Sequence, residues 1–182
     1  IAIVDGVRGR ALVVRGGPAR VELSRPLVLL DGTVEFWFKP GNWDNLATPP
    51  VKNAGWSYRN RYAHLITLWG LPRDREGEAA PLITLSIRRD RGSRPVAPEF
   101  EKYFARPKLP IVPHKWVHVQ LIRSRRFPHL NGGLLDAGHG ASAKFASDEI
   151  WQTHQAAYFT LGNGYETSFD ELRLYTCAFE GI

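Results

Sequence analysis

Along much of the chain, apolar residues recur at every second position between Gly, Pro, Asn and Asp punctuation, the periodicity of a half-buried strand. From Thr33 to Lys39, Val34, Phe36 and Phe38 face one way while Glu35, Trp37 and Lys39 face the other. Lys115 to Arg123 repeats the pattern, with Val117, Val119 and Leu121 opposed to Trp116, His118 and Gln120. Further strands are expected at Ala11–Val14, Arg20–Leu23, His64–Trp69, Leu82–Arg88, Ala157–Leu161 and Ser168–Tyr175. Turn signals stand between them at Asp31-Gly32, Asn131-Gly132 and Gly162-Asn163-Gly164. Short alternating strands separated by such turns are best buried as two packed antiparallel sheets. The expectation is therefore an all-β, two-sheet antiparallel β-sandwich with little helix. One helical turn or two is expected over Ser147–Gln155, with Ser147 as N-cap and Asp148 and Glu149 in the first turn.

Two stretches break the rhythm, Gly41–Arg61 and Asp90–Pro113, both too long for hairpin turns. Long loops on a rigid scaffold are where binding usually sits. With 182 residues and no linker or repeat, residues 1–182 read as a single domain. A chain of that length buries roughly 70% of the surface its unfolded form exposes, enough for a core without disulfides or a structural metal. The longest apolar runs are far below the ~20 residues of a membrane-spanning helix. Cys177, the single cysteine, excludes an intramolecular disulfide and a multi-cysteine zinc site. The sequence starts at Ile1, contains no Met and shows no basic-then-apolar leader, so it reads as a processed chain or a piece of a longer protein.

Taken in order, Gly9-Arg10-Ala11-Leu12, Gly32-Thr33-Val34-Glu35-Phe36-Trp37-Phe38-Lys39-Pro40, His64-Leu65-Ile66, Trp116-Val117-His118-Val119 and Leu130-Asn131-Gly132 form an ordered series of motifs. The series continues through Tyr158-Phe159-Thr160-Leu161-Gly162-Asn163 to Phe169-Asp170-Glu171-Leu172-Arg173-Leu174-Tyr175 and Ala178. It resembles the laminin G-like jelly rolls of the concanavalin A-like lectin and glucanase superfamily, from about Gly6 to the C-terminal segment. The resemblance implies one convex and one concave sheet, with ligand met on the concave face or at the loop rim. It also implies that Asp170 or Glu171 ties down a neighbouring turn. The superfold carries lectins, glycosidases, lyases and adhesion domains, so fold does not settle function. The chain departs from the family where Phe127-Pro128-His129 precedes Leu130-Asn131-Gly132, which suits an irregular hairpin.

Candidate chemistry is sparse. The Glu-x-Asp-x-x-Glu spacing of superfamily glycosidases does not occur. Its nearest approach, Asp74-Arg75-Glu76-Gly77-Glu78, reads as a solvated loop. Asp148-Glu149 and Asp170-Glu171 are adjacent pairs, which a strand would point to opposite faces. His114 and His118 have a zinc spacing on a helix, but the pattern there is strand, and His118 reads as a polar residue beside Trp116 and Gln120. Phe36, Phe38, Leu172 and Leu174 read as core, as does Trp69.

Aromatic rings stack on the C–H faces of sugars while amides and carboxylates read hydroxyls. Trp43, Trp56 and Tyr58, with Asn42, Asp44 and Asn45, supply that set in the first long segment. The same rings equally suit pinning a loop to the sandwich. Asn42, Asp44 and Asn45 are also hard-oxygen candidates for a Ca2+ ion at the loop rim; no cofactor beyond this is indicated. From Ser86 to Arg126 the chain carries eleven basic residues against three acidic ones, including Arg88, Arg89, Arg91 and Arg94. That field attracts acidic glycans or an acidic protein face, and Arg suits bidentate contact with carboxylate or sulfate. A solvated basic surface would read the same way. Specific nucleic-acid motifs are absent.

The expected function is a non-catalytic module binding carbohydrate, an acidic glycan in particular, in an extracytoplasmic setting: secreted, periplasmic or envelope-associated. The alternative is a structural or interaction domain gripping a neighbouring protein subunit. A glycosidase or lyase stands third, and the expectation is that the chain is not an enzyme.

Overall fold

A computed structural model describes residues 1–41, 62–74, 76–88, 112–126, 132–135, 139–141, 143–162 and 165–177. The described strands are β1 (Ala2–Asp5), β2 (Arg10–Val14), β3 (Ala19–Leu27), β4 (Gly32–Pro40), β5 (Tyr62–Pro72), β6 (Ala80–Arg88) and β7 (Val117–Arg123). They continue with β8 (Gly132–Leu135), β9 (His139–Ala141), β10 (Ala143–Phe145), β11 (His154–Leu161) and β12 (Thr167–Tyr175), with α1 at Asp148–Thr153. Every strand expected from the alternation is present. The expectation did not include β1, whose residues are all exposed, or the short β8, β9 and β10.

The strands form two antiparallel sheets, a seven-stranded one ordered β1-β2-β12-β4-β7-β8-β9 and a five-stranded one ordered β10-β6-β5-β11-β3. The chain is thus an all-β sandwich. The inner face of the larger sheet presents Val34, Phe36, Phe38, Val117, Val119, Leu121 and Phe169, all buried. Opposite them lie Ile66, Leu68, Ile83, Leu85, Phe159 and Leu161, in one continuous apolar cluster. Leu172 and Leu174 pack at its margin, half-buried.

Ser147 occupies the N-cap position of α1, as expected, but its side chain makes no capping hydrogen bond. The helix is held instead by Trp151, which is buried in the core, and by Arg123. The Arg123 guanidinium lies 4.6 Å from the Trp151 ring centre and donates to Asp148 Oδ1 at 2.5 Å. Burial pulls Arg123 below its ordinary pKa, an effect the Asp148 carboxylate opposes.

Asp170 does what the resemblance implied. Its Oδ2 accepts the backbone N–H groups of Val7 and Arg8 at 2.6 and 3.0 Å, and its Oδ1 that of Glu171 at 2.8 Å. Here β12 departs from simple alternation: its register against β4 shifts between Asp170 and Arg173, and Glu171 has φ 52°. The β1–β2 turn is fastened to β12 by one nearly buried carboxylate.

Candidate functional site

The side chains that face away from the core on the five-stranded sheet fall into two rows, set by pairing register. In one row Glu22 of β3 pairs with Tyr158 of β11, and Tyr158 with Trp69 of the central strand β5. In the next, Arg20 pairs with Thr160, Thr160 with Thr67, and Thr67 with Thr84 of β6. Because antiparallel partners project to the same face, the sheet sets an aromatic row beside a row of three hydroxyls.

The geometry within the rows is ordered. The Trp69 and Tyr158 rings are near-parallel, 14° apart with centres 5.9 Å from each other. Trp69 Nε1–H donates to Thr160 Oγ1 at 3.0 Å, which fixes the indole against the hydroxyl row. The Arg20 guanidinium lies 3.6 Å from the Tyr158 ring centre, and its Nε donates to Glu22 Oε1 at 2.6 Å. Three planar groups thus run from the central strand to the edge strand. Flat π surfaces, hydroxyls that both donate and accept, and one guanidinium suit a sugar chain better than an apolar ligand.

This placement corrects the reading of Trp69 as core. Ile66 and Leu68 supply the core face of β5, and register shifts flank them between His64 and Ile66 and between Leu68 and Trp69. Trp69 is left half-buried on the outward face.

The sequence-derived candidates lie elsewhere. Asn42, Asp44, Asn45, Trp43, Trp56, Tyr58, Arg89, Arg91 and Arg94 fall outside the described residues, and of Arg88 only the backbone is described, at the end of β6 opposite Tyr62. Topology does bring the roots of the two long segments together. Pro40, before the first, accepts a 2.8 Å hydrogen bond from the His114 N–H, after the second. Tyr62, after the first, pairs with Arg88, before the second. Both segments therefore leave and rejoin the sandwich side by side.

The outward face of the seven-stranded sheet carries a different set, on its central strand β4 and on and just before the neighbouring β7. His118 Nε2 lies 2.8 Å from Glu35 Oε1, with side chains 18% and 21% exposed. Trp37 packs on the His118 ring at 4.8 Å, and Lys39 Nζ lies 4.8 Å from the Trp116 ring centre. His118 is a strand residue, as expected, and His114 lies in the turn before β7. Among the described residues no cluster of three or more His, Cys, Asp or Glu side chains is arranged to hold a metal. Asp74, Glu76 and Glu78 are exposed.

Tyr158, Thr160, Thr67, Thr84, Arg20 and Glu22 were not singled out by sequence reasoning. Each sits at an outward parity position of an expected strand, and that parity is the signal that could have found them. Their adjacency had no local signal.

No family model matches this chain. No curated protein matches it either. Among solved structures it is similar to a putative glycosyl hydrolase from Parabacteroides distasonis, at 9% identity and a TM-score of 0.46, covering 91% of this chain and 80% of that one. It is also similar to the endo-β-1,4-glucuronan lyase of the fungus Trichoderma reesei, at 12% identity and a TM-score of 0.46, covering 96% of this chain and 85% of that one. Both are named as enzymes, and this corrects the expectation that the chain is not one: absence of catalysis no longer stands as a premise.

Proposed function

We propose that this chain is a carbohydrate-directed β-sandwich that lays a glycan across the outward face of its five-stranded sheet. The observation that carries the reading is the pair of adjacent rows, Trp69–Tyr158–Glu22 and Thr84–Thr67–Thr160–Arg20. Trp69 offers stacking surface to sugar C–H faces, Tyr158 sets the position of both Trp69 and the Arg20 guanidinium, Thr160 and Thr84 offer hydroxyls, and Arg20 offers a charged planar contact. The names of the two similar structures, a glycosyl hydrolase and a glucuronan lyase, are in keeping with a carbohydrate ligand. Laminin G-like kinship and an extracytoplasmic setting belong to the same proposal and rest on the sequence motifs.

The test is retention of the chain in gels containing a panel of neutral and anionic polysaccharides, for wild type, Trp69→Ala and Tyr158→Ala. Loss of retention in both variants, with an unchanged melting temperature, is expected. Equal retention of all three proteins, or none by any, would defeat the reading. Product formation is followed in the same samples, as new reducing ends and as absorbance of unsaturated uronate, and compared with His118→Ala. His118 and Glu35 form an acid–base-capable pair on the opposite sheet face. Activity lost in His118→Ala but kept in Trp69→Ala would move the site to the seven-stranded sheet.

The interaction-domain reading keeps one observation of its own. β1 is an edge strand exposed on both faces, and Ile3 within it is 63% exposed. A stoichiometric protein that co-purifies with the wild type and is lost on Ile3→Lys would favour it.

A further inference from the structure

We infer that Arg20 is the residue that reads an acidic sugar on this face, and that Glu22 occupies the carboxylate position of the ligand when none is bound. The inference rests on the platform reading above and names the class of glycan: one carrying carboxylates, a uronate.

Four observations carry it. Arg20 and Glu22 stand two residues apart on β3, at the edge of the sheet, with outward side chains 57% and 62% exposed. The guanidinium is held over Tyr158, at the end of the aromatic row, so that a sugar seated on Trp69 and running toward the edge strand would bring its ring substituents to it. Its one hydrogen bond to a carboxylate is made through Nε, so among the described residues the two Nη groups keep their donors. The carboxylate it engages belongs to a side chain of the same strand rather than to the core.

Each piece has a physical consequence. Stacking on Tyr158 fixes the plane of the guanidinium, so its fork is oriented before a ligand arrives. An exposed ion pair contributes little net stability, so exchanging Glu22 for a ligand carboxylate is nearly neutral on the protein side. The exchanged pair gains where the sugar ring excludes water from it. Glu22 also sets selectivity: a neutral glycan leaves the internal pair intact and takes from Arg20 no more than neutral hydroxyl contacts at Nη, whereas a uronate replaces one carboxylate by another. The Glu22 carboxylate repels that uronate. The arrangement therefore holds affinity for acidic glycans below its maximum.

The experiment compares two probes by titration calorimetry at low and moderate salt: an oligo-uronate and the same oligosaccharide after carboxyl reduction. Proteins are wild type, Arg20→Gln, Arg20→Lys, Glu22→Gln and Trp69→Ala. Arg20→Gln is expected to weaken oligo-uronate binding about tenfold, the size of a charge-assisted contact, and to weaken the reduced probe far less. Arg20→Lys restores part of that loss. Glu22→Gln is expected to tighten oligo-uronate binding about threefold by removing a like charge. Trp69→Ala weakens both probes. If Arg20→Gln weakens both probes equally, Arg20 merely supports Tyr158 and the inference falls while the platform stands. If Glu22→Gln weakens oligo-uronate binding, Glu22 is a ligand contact and not a surrogate, and the inference falls. If wild type binds neither probe, the platform reading falls and takes the inference with it.

Discussion

Asp170→Ala should loosen the whole β1–β2 end of the seven-stranded sheet. The carboxylate accepts three backbone N–H groups, those of Val7, Arg8 and Glu171. A hydrogen bond to a charged group contributes about 1.5–3 kcal/mol. The three do not sum, because Val7 and Arg8 are exposed and their amides regain water when the acceptor is removed. A loss of about 2–4 kcal/mol is the expected net effect, which for a domain of this size lowers the melting temperature by about 5–15 °C. Gly6 supplies an internal check. A Cβ there would collide with Asp170 Oδ2 and lie 2.8 Å from its Cγ, so Gly6→Ala should displace the same carboxylate. In the Asp170→Ala background the collision is gone, and Gly6→Ala should cost little. The two substitutions are therefore expected to be strongly non-additive. Urea denaturation of the four proteins of this cycle is the assay. A loss in Asp170→Ala below about 0.5 kcal/mol, or an additive cycle, would refute the account of Asp170 as the clasp.

Two further outcomes follow from the charged groups. Asp31 accepts the Arg125 backbone N–H at 2.6 Å, and that bond first, then the Arg125 side chain, holds its carboxyl below the ordinary value of 3.8. Because the folded pKa is depressed, the stability Asp31 adds is full above its ordinary pKa and is lost as pH falls through the lower, folded value. Denaturation midpoints measured from pH 6 down should therefore fall less steeply for Asp31→Asn than for wild type, and parallel curves would exclude the effect. For the Arg123–Asp148 pair, side chains 5% and 71% exposed, the two partners should respond unequally. Asp148→Ala leaves a guanidinium that burial already disfavours with its bond to the Leu30 carbonyl but no carboxylate, whereas Arg123→Met keeps the packing on Trp151 and leaves Asp148 in water. Asp148→Ala is expected to be the more destabilising in thermal melts; the reverse order would show that the pair matters through Arg123 packing alone.

Alternation along the chain determined which segments are strands and which side of each meets the core. Val34, Phe36 and Phe38 are buried while Glu35, Trp37 and Lys39 are not, as their period-two spacing requires. Strand periodicity is a local property, so the sequence shows it directly. Trp69 obeys the same parity, outward with Thr67 while Ile66 and Leu68 turn inward, and residue type alone made it look like core. The motifs around Asp170 also told truly that an acidic side chain there fastens a neighbouring turn, although Asp170 lies within β12 rather than before it. The candidate site was a different matter. Trp69 comes to lie beside Tyr158, Tyr158 beside Arg20 and Glu22, and Thr67 between Thr84 and Thr160 only because β5 pairs with β6 on one side and β11 on the other, with β3 beyond. Which strand neighbours which, and in what register, is decided by how two apolar faces close on one another across long stretches of chain. A one-residue slip at any of those pairings would leave every strand recognisable in the sequence and scatter the rows.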